Sequence, residues 1–180
     1  MVDFLRRSNV FAGLDLAAPP LILTPRPATT RLLFRGDPMA AEAIGIALGL
    51  PLPREACRAN SIAGTAALWL GPDEWLVLTD NSTTALIQAL AGQAHALVDV
   101  THRQAGLCVQ GPCAAIALNA GCPLDLDASA FPVDACTRTL FGKAEVMLWR
   151  TGPDTFHVEA ARSFIPYVVA LLREASRGLA

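Results

Sequence analysis

Hydrophobic and polar positions along this 180-residue chain form short strand-like runs and longer helix-like stripes, and their order recurs from the first half to the second. Runs rich in Val, Leu and Thr that are bounded by Gly, Pro, Asn or Asp are typical of β-strands. Five such runs are predicted in each half, at 21–24, 30–35, 56–61, 66–70 and 74–79, and then at 96–101, 106–110, 135–140, 144–150 and 155–159.

Two helices are predicted in each half. The first opens with Pro in its first turn and ends at a Gly-x-Pro sequence, which gives helices at 38–49 and 112–121. Gly can adopt the left-handed conformation just beyond a helix, and the Pro that follows cannot continue the helix. The second helix is predicted to begin at Ser82 and at Ser163, whose hydroxyls can cap free N–H groups. Each half therefore has the predicted order ββαβββα.

Sequence matches between the halves indicate an internal duplication. Gly71–Val77 recurs in related form as Gly152–Val158, and Gly36 is matched by Gly111. The offset differs slightly between these matches, as insertions in loops would cause. A repeated supersecondary unit explains matches that occur in the same order along both halves.

The order of the predicted elements indicates an α+β protein, because the strands do not alternate regularly with helices as they do in a doubly wound parallel sheet. We expect an N-terminal segment, 1–19, followed by a single domain, 20–180. Within this domain, two repeats at about 20–94 and 96–177 are expected to share one core as a pseudo-twofold pair. Neither half is long enough to bury a sufficient hydrophobic core alone.

The composition excludes several classes of partner. The formal net charge is −2, so the chain is a poor electrostatic partner for nucleic acid or for an anionic membrane. No apolar run is long enough to span a bilayer. Because Met1–Ala18 also lacks the pattern of a secretory signal peptide, we expect a cytoplasmic protein.

The chain is poor in charge, with 17% charged residues against 53% hydrophobic ones. This can reflect an Ala-rich composition in which Arg replaces Lys, since Lys143 is the only lysine. It can also mean that part of the surface is buried against other chains. The second interpretation predicts that the isolated chain self-associates or exposes an apolar patch.

Patterns typical of catalytic or metal sites are scarce. The five cysteines include no Cys-x-x-Cys pair, and His157-x-Glu159 lacks the downstream Pro-Cys-x-x-Cys of the zinc deaminases. Asp125 and Asp127 are better explained as turn residues after a helix than as an acid/base pair. No nucleophile elbow, P-loop or Gly-x-Gly-x-x-Gly motif is present. We therefore predict no catalytic, cofactor-binding or metal-binding residue in this chain.

The densest polar run, 99–104, separates two apolar strands at the boundary between the halves. Its polar members are candidates for a cluster that contacts another chain or a ligand: Asp99, Thr101, His102, Arg103 and Gln104. Arg103 and His102 suit an anion or a carboxylate. The alternative is a polar hairpin turn in which Asp99 accepts backbone N–H groups. The corresponding part of the first half, 24–29, has a different sequence, which favours a function for the run.

Six segments of the second half carry a family resemblance: Val98–Gln104, Gly121–Leu126, Ala130–Val133, Leu140–Arg150, Thr151–Glu159 and Arg162–Phe164. Together they resemble the gamma subunit of heterotetrameric sarcosine oxidase. The resemblance implies the two repeated subdomains of the aminomethyltransferase-type folate-binding fold without its barrel domain, which agrees with the predicted duplication.

The same resemblance implies a function and a set of partners. The complex of this family oxidatively demethylates sarcosine to glycine, forms hydrogen peroxide and yields methylene-tetrahydrofolate or formaldehyde. Its FAD, FMN, NAD, tetrahydrofolate and zinc are expected on the other subunits, alpha, beta and delta. The first hypothesis is therefore a non-catalytic accessory gamma subunit that holds none of these cofactors.

Two further hypotheses belong to other classes. One is a stand-alone folate- or pteridine-binding protein that keeps a pocket between its halves. The other is a catalytic thiol, Cys108 or Cys113, that acts with His102. Inert core thiols are the alternative, because Cys108 falls in a predicted strand and Cys113 in the first turn of a predicted helix.

Overall fold

Strands dominate the protein in a computed structural model that describes residues 9–179. The strands are β1 (Ala17–Ala18), β2 (Leu21–Pro25), β3 (Thr30–Gly36), β4 (Ala59–Ile62), β5 (Thr65–Gly71), β6 (Glu74–Thr79), β7 (His95–Asp99), β8 (Gln104–Gln110), β9 (Cys136–Phe141), β10 (Ala144–Gly152) and β11 (Thr155–Ala161). The helices are α1 (Pro38–Leu48), α2 (Thr83–Ala89), α3 (Ala114–Asn119) and α4 (Ile165–Ser176), with a 3₁₀ helix at Arg162–Phe164. The predicted α+β class is confirmed.

The strands form two antiparallel sheets. The first sheet has the order β1-β2-β8-β11-β10-β9, and the second has the order β4-β5-β6-β3-β7. β2 comes from the first half of the chain but pairs with β8, and β7 comes from the second half but pairs with β3. The leading strand of each half therefore lies in the other half's sheet, and the two halves are interlocked.

Helices cover one face of each sheet, and the opposite faces meet. Leu118 of α3 and Leu172 of α4 pack on the first sheet, while Ile44 of α1 and Leu86 of α2 pack on the second. A third apolar cluster draws on both sheets: Ala59, Ala66, Leu68, Leu76, Leu78, Val100, Cys136, Met147 and Trp149. The layers thus run helix, sheet, sheet, helix, and the interior comprises three apolar clusters.

Both ends of α1 match the sequence prediction. Pro38 opens the helix, and the Asp37 side chain before it accepts the Ala40 N–H at 2.8 Å. Gly49 follows the helix with φ of 68°, the left-handed conformation that a side chain would disfavour.

The predicted helix at 112–121 is shorter in the structure, where α3 spans Ala114–Asn119. A turn closed by the Ala114 N–H to the Gly111 carbonyl, at 2.9 Å, precedes α3, so Pro112 lies before the helix. Gly121 is not left-handed. It is needed for space instead, because a Cβ at this position would lie 2.9 Å from the Phe141 ring.

The two serines do not cap their helices as predicted. Ser82 precedes α2, but its side chain makes no hydrogen bond to the helix. Ser163 lies inside the 3₁₀ helix, and α4 begins after it, at Ile165. A 3₁₀ turn can satisfy the free groups at a helix end through its own tighter bonds, which removes the need for a hydroxyl cap.

The strand predicted at 56–61 begins late, at Ala59, because Cys57 has φ of 60° and cannot continue an extended chain. Asp134, with φ of 66°, likewise precedes β9. Arg58 and Ala135 form an isolated bridge beside these two turns. The backbone therefore joins the two sheets at one corner.

Large apolar side chains are exposed on both halves: Ile22, Met39, Ile46, Ile62, Ile87, Val98, Ile116, Val133, Leu140, Phe164 and Tyr167. Met39 and Ile46, on α1, are the most exposed at 73% and 76%. Among residues 9–179, no helix combines the length and apolar character needed to cross a bilayer.

Candidate functional site

A triad of buried ionisable side chains lies between the two sheets. Arg31 of β3 reaches Glu159 of β11, with Nε donating to Oε2 at 2.7 Å and Nη2 donating to Oε1 at 2.9 Å. His157 Nε2, on the same strand as Glu159, lies 2.8 Å from Oε1. Arg31 Nη1 also donates to the Thr29 carbonyl at 2.9 Å. The triad therefore connects the sheets through charge within a mostly apolar interface.

Glu159 is an ionised carboxylate at neutral pH. Burial alone would raise its pKa, but the hydrogen bonds and charges of His157 and Arg31 outweigh burial and lower the pKa of Glu159 from its ordinary value of 4.5. An ionised carboxylate only accepts hydrogen bonds, so His157 Nε2 must carry the proton in their shared bond.

Gly106 provides the space that this carboxylate occupies. It pairs with Glu159 across β8 and β11. A Cβ at residue 106 would lie 2.6 Å from Glu159 Oε1 and 3.1 Å from the Arg26 side chain. A residue larger than Gly would therefore displace the carboxylate from Arg31.

The predicted polar run, 99–104, is the crossover between the two sheets, and its interpretation as a hairpin is wrong. β7 ends at Asp99 in the second sheet, and β8 begins at Gln104 in the first. A hairpin joins adjacent strands of one sheet, whereas these two strands have different neighbours. The accompanying prediction of a turn is accurate, since Asp99 accepts the Thr101 N–H at 2.8 Å.

The structure brings one of the five predicted cluster residues into contact with the triad. Thr101 Oγ1 accepts the Arg31 N–H at 2.8 Å. Gln104 is half-buried, and its Oε1 has no hydrogen-bond partner among the described residues. His102 and Arg103 are exposed, as is Asp99. The crossover therefore fixes the backbone of β3 where Arg31 leaves it, and it presents His102 and Arg103 on the surface.

Three cavities border the triad. One of about 390 Å³ is lined by Glu159 and Arg103, and one of about 460 Å³ by Arg31 and His102. The third, of about 410 Å³, is lined by His157. Volumes of this order suit small organic molecules.

A larger and mainly apolar cavity, of about 640 Å³, lies away from the triad beside α1. Ile46, Leu50 and Trp75 contribute to its lining. It contains none of the candidate site residues predicted from the sequence.

Two of the cysteines, Cys108 and Cys136, are poor nucleophiles. All five are free thiols. Burial raises the pKa of Cys108, against a smaller opposing effect of Arg26, and burial raises the pKa of Cys136 to about 12. The thiolate is the reactive form of cysteine. The raised pKa of Cys108 therefore argues against Cys108 as a catalytic thiol that acts with His102.

Asp125 and Asp127 stabilise turns, which is the role that the sequence predicts. The Asp127 N–H donates to Asp125 Oδ1 at 2.9 Å. The N–H and hydroxyl of Ser129 donate to Asp127 Oδ1 at 2.9 and 2.6 Å. These Ser129 bonds lower the pKa of Asp127.

Sequence reasoning missed Arg31 and the pairing of His157 with Glu159. One signal was available: Arg31 is a charged residue at the start of the apolar run Leu32–Phe34. The alternation of side chains along a strand also places His157 and Glu159 on one face. Within the described residues, no group of three His, Cys, Asp or Glu side chains is arranged to hold a metal ion.

The fold resembles that of an aminomethyltransferase. The glycine cleavage system aminomethyltransferase T from Bartonella henselae matches 87% of this chain and 46% of its own length, with a TM-score of 0.62 and 17% identity. At this identity the similarity concerns the fold alone, and it bears out the expected aminomethyltransferase-like architecture.

Closer similarities are found to sarcosine oxidase. The family model described as "Sarcosine oxidase, gamma subunit family" matches residues 35–178. The sarcosine oxidase gamma subunit of Corynebacterium sp. strain U-96 is 34% identical over 153 residues, which cover 82% of this chain and 75% of that one. The gamma subunit from Corynebacterium sp. strain P-1 is 34% identical over 137 residues, covering 74% and 68%.

A solved structure agrees with these sequence matches. A chain of the heterotetrameric sarcosine oxidase from Corynebacterium sp. U-96, determined in complex with pyrrole 2-carboxylate, superimposes with a TM-score of 0.82 at 30% identity. The match covers 88% of this chain and 84% of that one. The resemblance inferred from the sequence is confirmed, and the chain belongs to the sarcosine oxidase gamma subunit family.

Proposed function

We propose that this chain is a non-catalytic accessory subunit of a cytoplasmic heterotetrameric sarcosine oxidase. The observation that carries the proposal is the match to a chain of the heterotetrameric U-96 enzyme over 88% of this chain. The complex would oxidatively demethylate sarcosine to glycine, form hydrogen peroxide and yield methylene-tetrahydrofolate or formaldehyde. Alpha, beta and delta subunits would be its partners and would hold FAD, FMN, NAD, tetrahydrofolate and zinc.

The ionisable groups of the described residues support an accessory role. Arg31 and Glu159 neutralise each other, and Arg31 Nη1 also donates to the Thr29 carbonyl. The pKa of the Cys108 thiol is raised by burial, which keeps it protonated at neutral pH. The Arg31–Glu159 pair therefore connects the two sheets, and Cys108 is poorly suited to act as a nucleophile.

The proposal includes an internal duplication, which the pairing of the strands supports. β3 pairs with β6 in the same register as β8 with β11 when Gly36 is aligned with Gly111 and Gly71 with Gly152. In this alignment the bulge between Trp69 and Gly71 also corresponds to the bulge between Arg150 and Gly152. Two copies of one ββαβββα unit, with their leading strands exchanged, account for both observations.

Co-expression tests the accessory role. The tagged chain is produced alone and together with the other sarcosine oxidase subunits of its source. We expect the isolated chain to show neither flavin absorbance nor sarcosine-dependent peroxide formation. We expect the complete complex to co-purify with the tag and to form peroxide from sarcosine.

The matched control omits only this chain from the co-expression. A lower yield of intact complex in that control supports an accessory role in assembly. Peroxide formation by the isolated chain, or an unchanged complex without it, contradicts the proposal. Family membership favours this function over the second hypothesis, a stand-alone folate- or pteridine-binding protein.

A further inference from the structure

Two of the buried polar atoms without a hydrogen-bond partner among residues 9–179 belong to neighbouring strands of the first sheet. They are Nε1 of Trp149 and Nδ1 of His157. The two residues are neighbours across β10 and β11, and their ring centres lie 5.7 Å apart. Buried polar groups are nearly always paired in proteins, so two adjacent unpaired atoms indicate a missing partner.

Both side chains line the cavity of about 410 Å³ described above. Leu78 and Ala66 of the second sheet form an apolar part of its wall, and Arg26 and Asp80 are among its polar lining residues. The lining combines apolar and polar side chains, and small-molecule sites use both kinds of contact. A small organic molecule is therefore a suitable partner for the two unpaired atoms.

The two unpaired atoms need hydrogen bonds of opposite direction, and Glu159 determines the one that His157 Nδ1 needs. Because the carboxylate only accepts, His157 Nε2 donates to it, and in the neutral imidazole tautomer with this arrangement Nδ1 is the acceptor. The indole N–H of Trp149 can only donate. We propose that this cavity binds a small uncharged molecule with an amide edge, whose carbonyl oxygen accepts from Trp149 and whose N–H donates to His157.

The same arrangement discriminates against a carboxylate of equal shape. A carboxylate has no proton to donate to His157 Nδ1, and it would bring a second negative charge close to Glu159. Asp80 already accepts the Thr29 hydroxyl at 2.9 Å. Exposed Arg26 attracts anions only weakly, because water screens its charge. The proposal concerns this chain alone and does not depend on the accessory role.

Benzamide and benzoate are matched probes for this site. In the full chain labelled with nitrogen-15, the three tryptophans give three indole N–H signals that NMR can follow. We expect benzamide, in the millimolar range usual for fragments, to shift the Trp149 signal, and benzoate to leave it in place. The Trp75 signal is an internal control, since its Nε1 already donates to the Pro53 carbonyl at 2.8 Å.

Substitution of the donor tests the assignment independently. Trp149→Phe keeps the ring in the wall but removes the indole N–H, and we expect it to weaken benzamide binding about tenfold as measured by calorimetry. Trp69→Phe, outside the cavity, is the matched control and should leave the affinity unchanged. A Trp149 signal that benzamide does not move, an equal response to benzoate, or equal affinities in the two variants would overturn the proposal. The first result would mean that at most water occupies the space.

Discussion

The two sheets pair their central strands in the same register, yet they place different chemistry on the faces that meet. When β3 is aligned with β8 and β6 with β11, the pair Arg31 and Leu78 of the second sheet corresponds to the pair Gly106 and Glu159 of the first. One sheet thus contributes a cation beside an apolar residue. The other contributes an anion beside a residue without a side chain.

This difference shows that the polar chemistry lies where the halves depart from each other. Arg31 and Glu159 belong to different sheets and meet across the interface. If the halves were identical at these positions, two like charges would face one another in a buried space, which is strongly unfavourable. The ion pair between the sheets therefore lies at positions where the two sheets differ, although their strands share one register.

Removing the anion of this pair is expected to have the largest effect. Glu159→Gln keeps the size of the side chain but leaves the buried Arg31 guanidinium without its counter-charge. We expect the free energy of unfolding to fall by about 3–5 kcal/mol, measured by urea denaturation.

An exposed ion pair on the second sheet is the matched control. Arg35 and Asp73 lie 2.9 Å apart with side chains that are 58% and 55% exposed. Asp73→Asn should change stability far less, because water already screens this pair. Combining Arg31→Met with Glu159→Leu should recover part of the loss, since an apolar pair leaves no buried charge. If Glu159→Gln is no less stable than Asp73→Asn, the buried ion pair contributes no more to stability than the exposed one, which contradicts the prediction.

Acid should remove the contribution of Glu159. Its pKa in the folded protein lies below the ordinary value of 4.5, so its stabilising effect is fully present above that pH and is lost as the pH falls through the folded pKa. We therefore expect the stability difference between the unmodified protein and Glu159→Gln to be constant near neutrality and to shrink in acid, below the ordinary pKa of the carboxyl. Urea titrations at several pH values measure it. A difference that is independent of pH would contradict the ionised triad.

Filling the space opposite Glu159 should have an intermediate effect. A Cβ at residue 106 would lie 2.6 Å from the Glu159 carboxylate, so Gly106→Ala forces that side chain away from Arg31. We expect a loss of about 1–3 kcal/mol by urea denaturation. Gly71→Ala is the control, because its Cβ would meet only the Glu74 Cβ at 3.7 Å. Equal losses in the two variants would show that Gly106 is not needed for the carboxylate.

Local sequence signals were sufficient for much of the fold. The Pro at the start and the Gly at the end of α1 set its limits, because both act through their own backbone conformations. The end of the helix before Gly121 was predicted for the wrong reason. Gly is required at this position because a side chain would collide with the Phe141 ring. Phe141 belongs to a later strand, and only the folded chain brings the two residues together.

The site was harder to predict than the fold. Local spacing indicates that His157 and Glu159 share a face, but their partner Arg31 is 128 residues distant from Glu159. The polar run 99–104 was identified as a candidate, yet its course from one sheet to the other depends on the exchange of the leading strands. A strand that joins the other half's sheet leaves no local sign, because its own pattern of apolar residues is the same in either sheet.

The smallest effect concerns two buried indoles, one in each sheet. Trp75 Nε1 donates to the Pro53 carbonyl, whereas Trp149 Nε1 has no partner among the described residues. Phe in place of either residue removes the same atoms, but only Trp75→Phe leaves a buried carbonyl unpaired. We expect Trp75→Phe to cost about 1 kcal/mol more than Trp149→Phe in urea denaturation. Equal costs would mean that the Trp149 indole N–H has an equivalent hydrogen-bond partner in solution even without an added ligand. The two indoles would then not differ in hydrogen bonding, and this difference between the sheets would be removed.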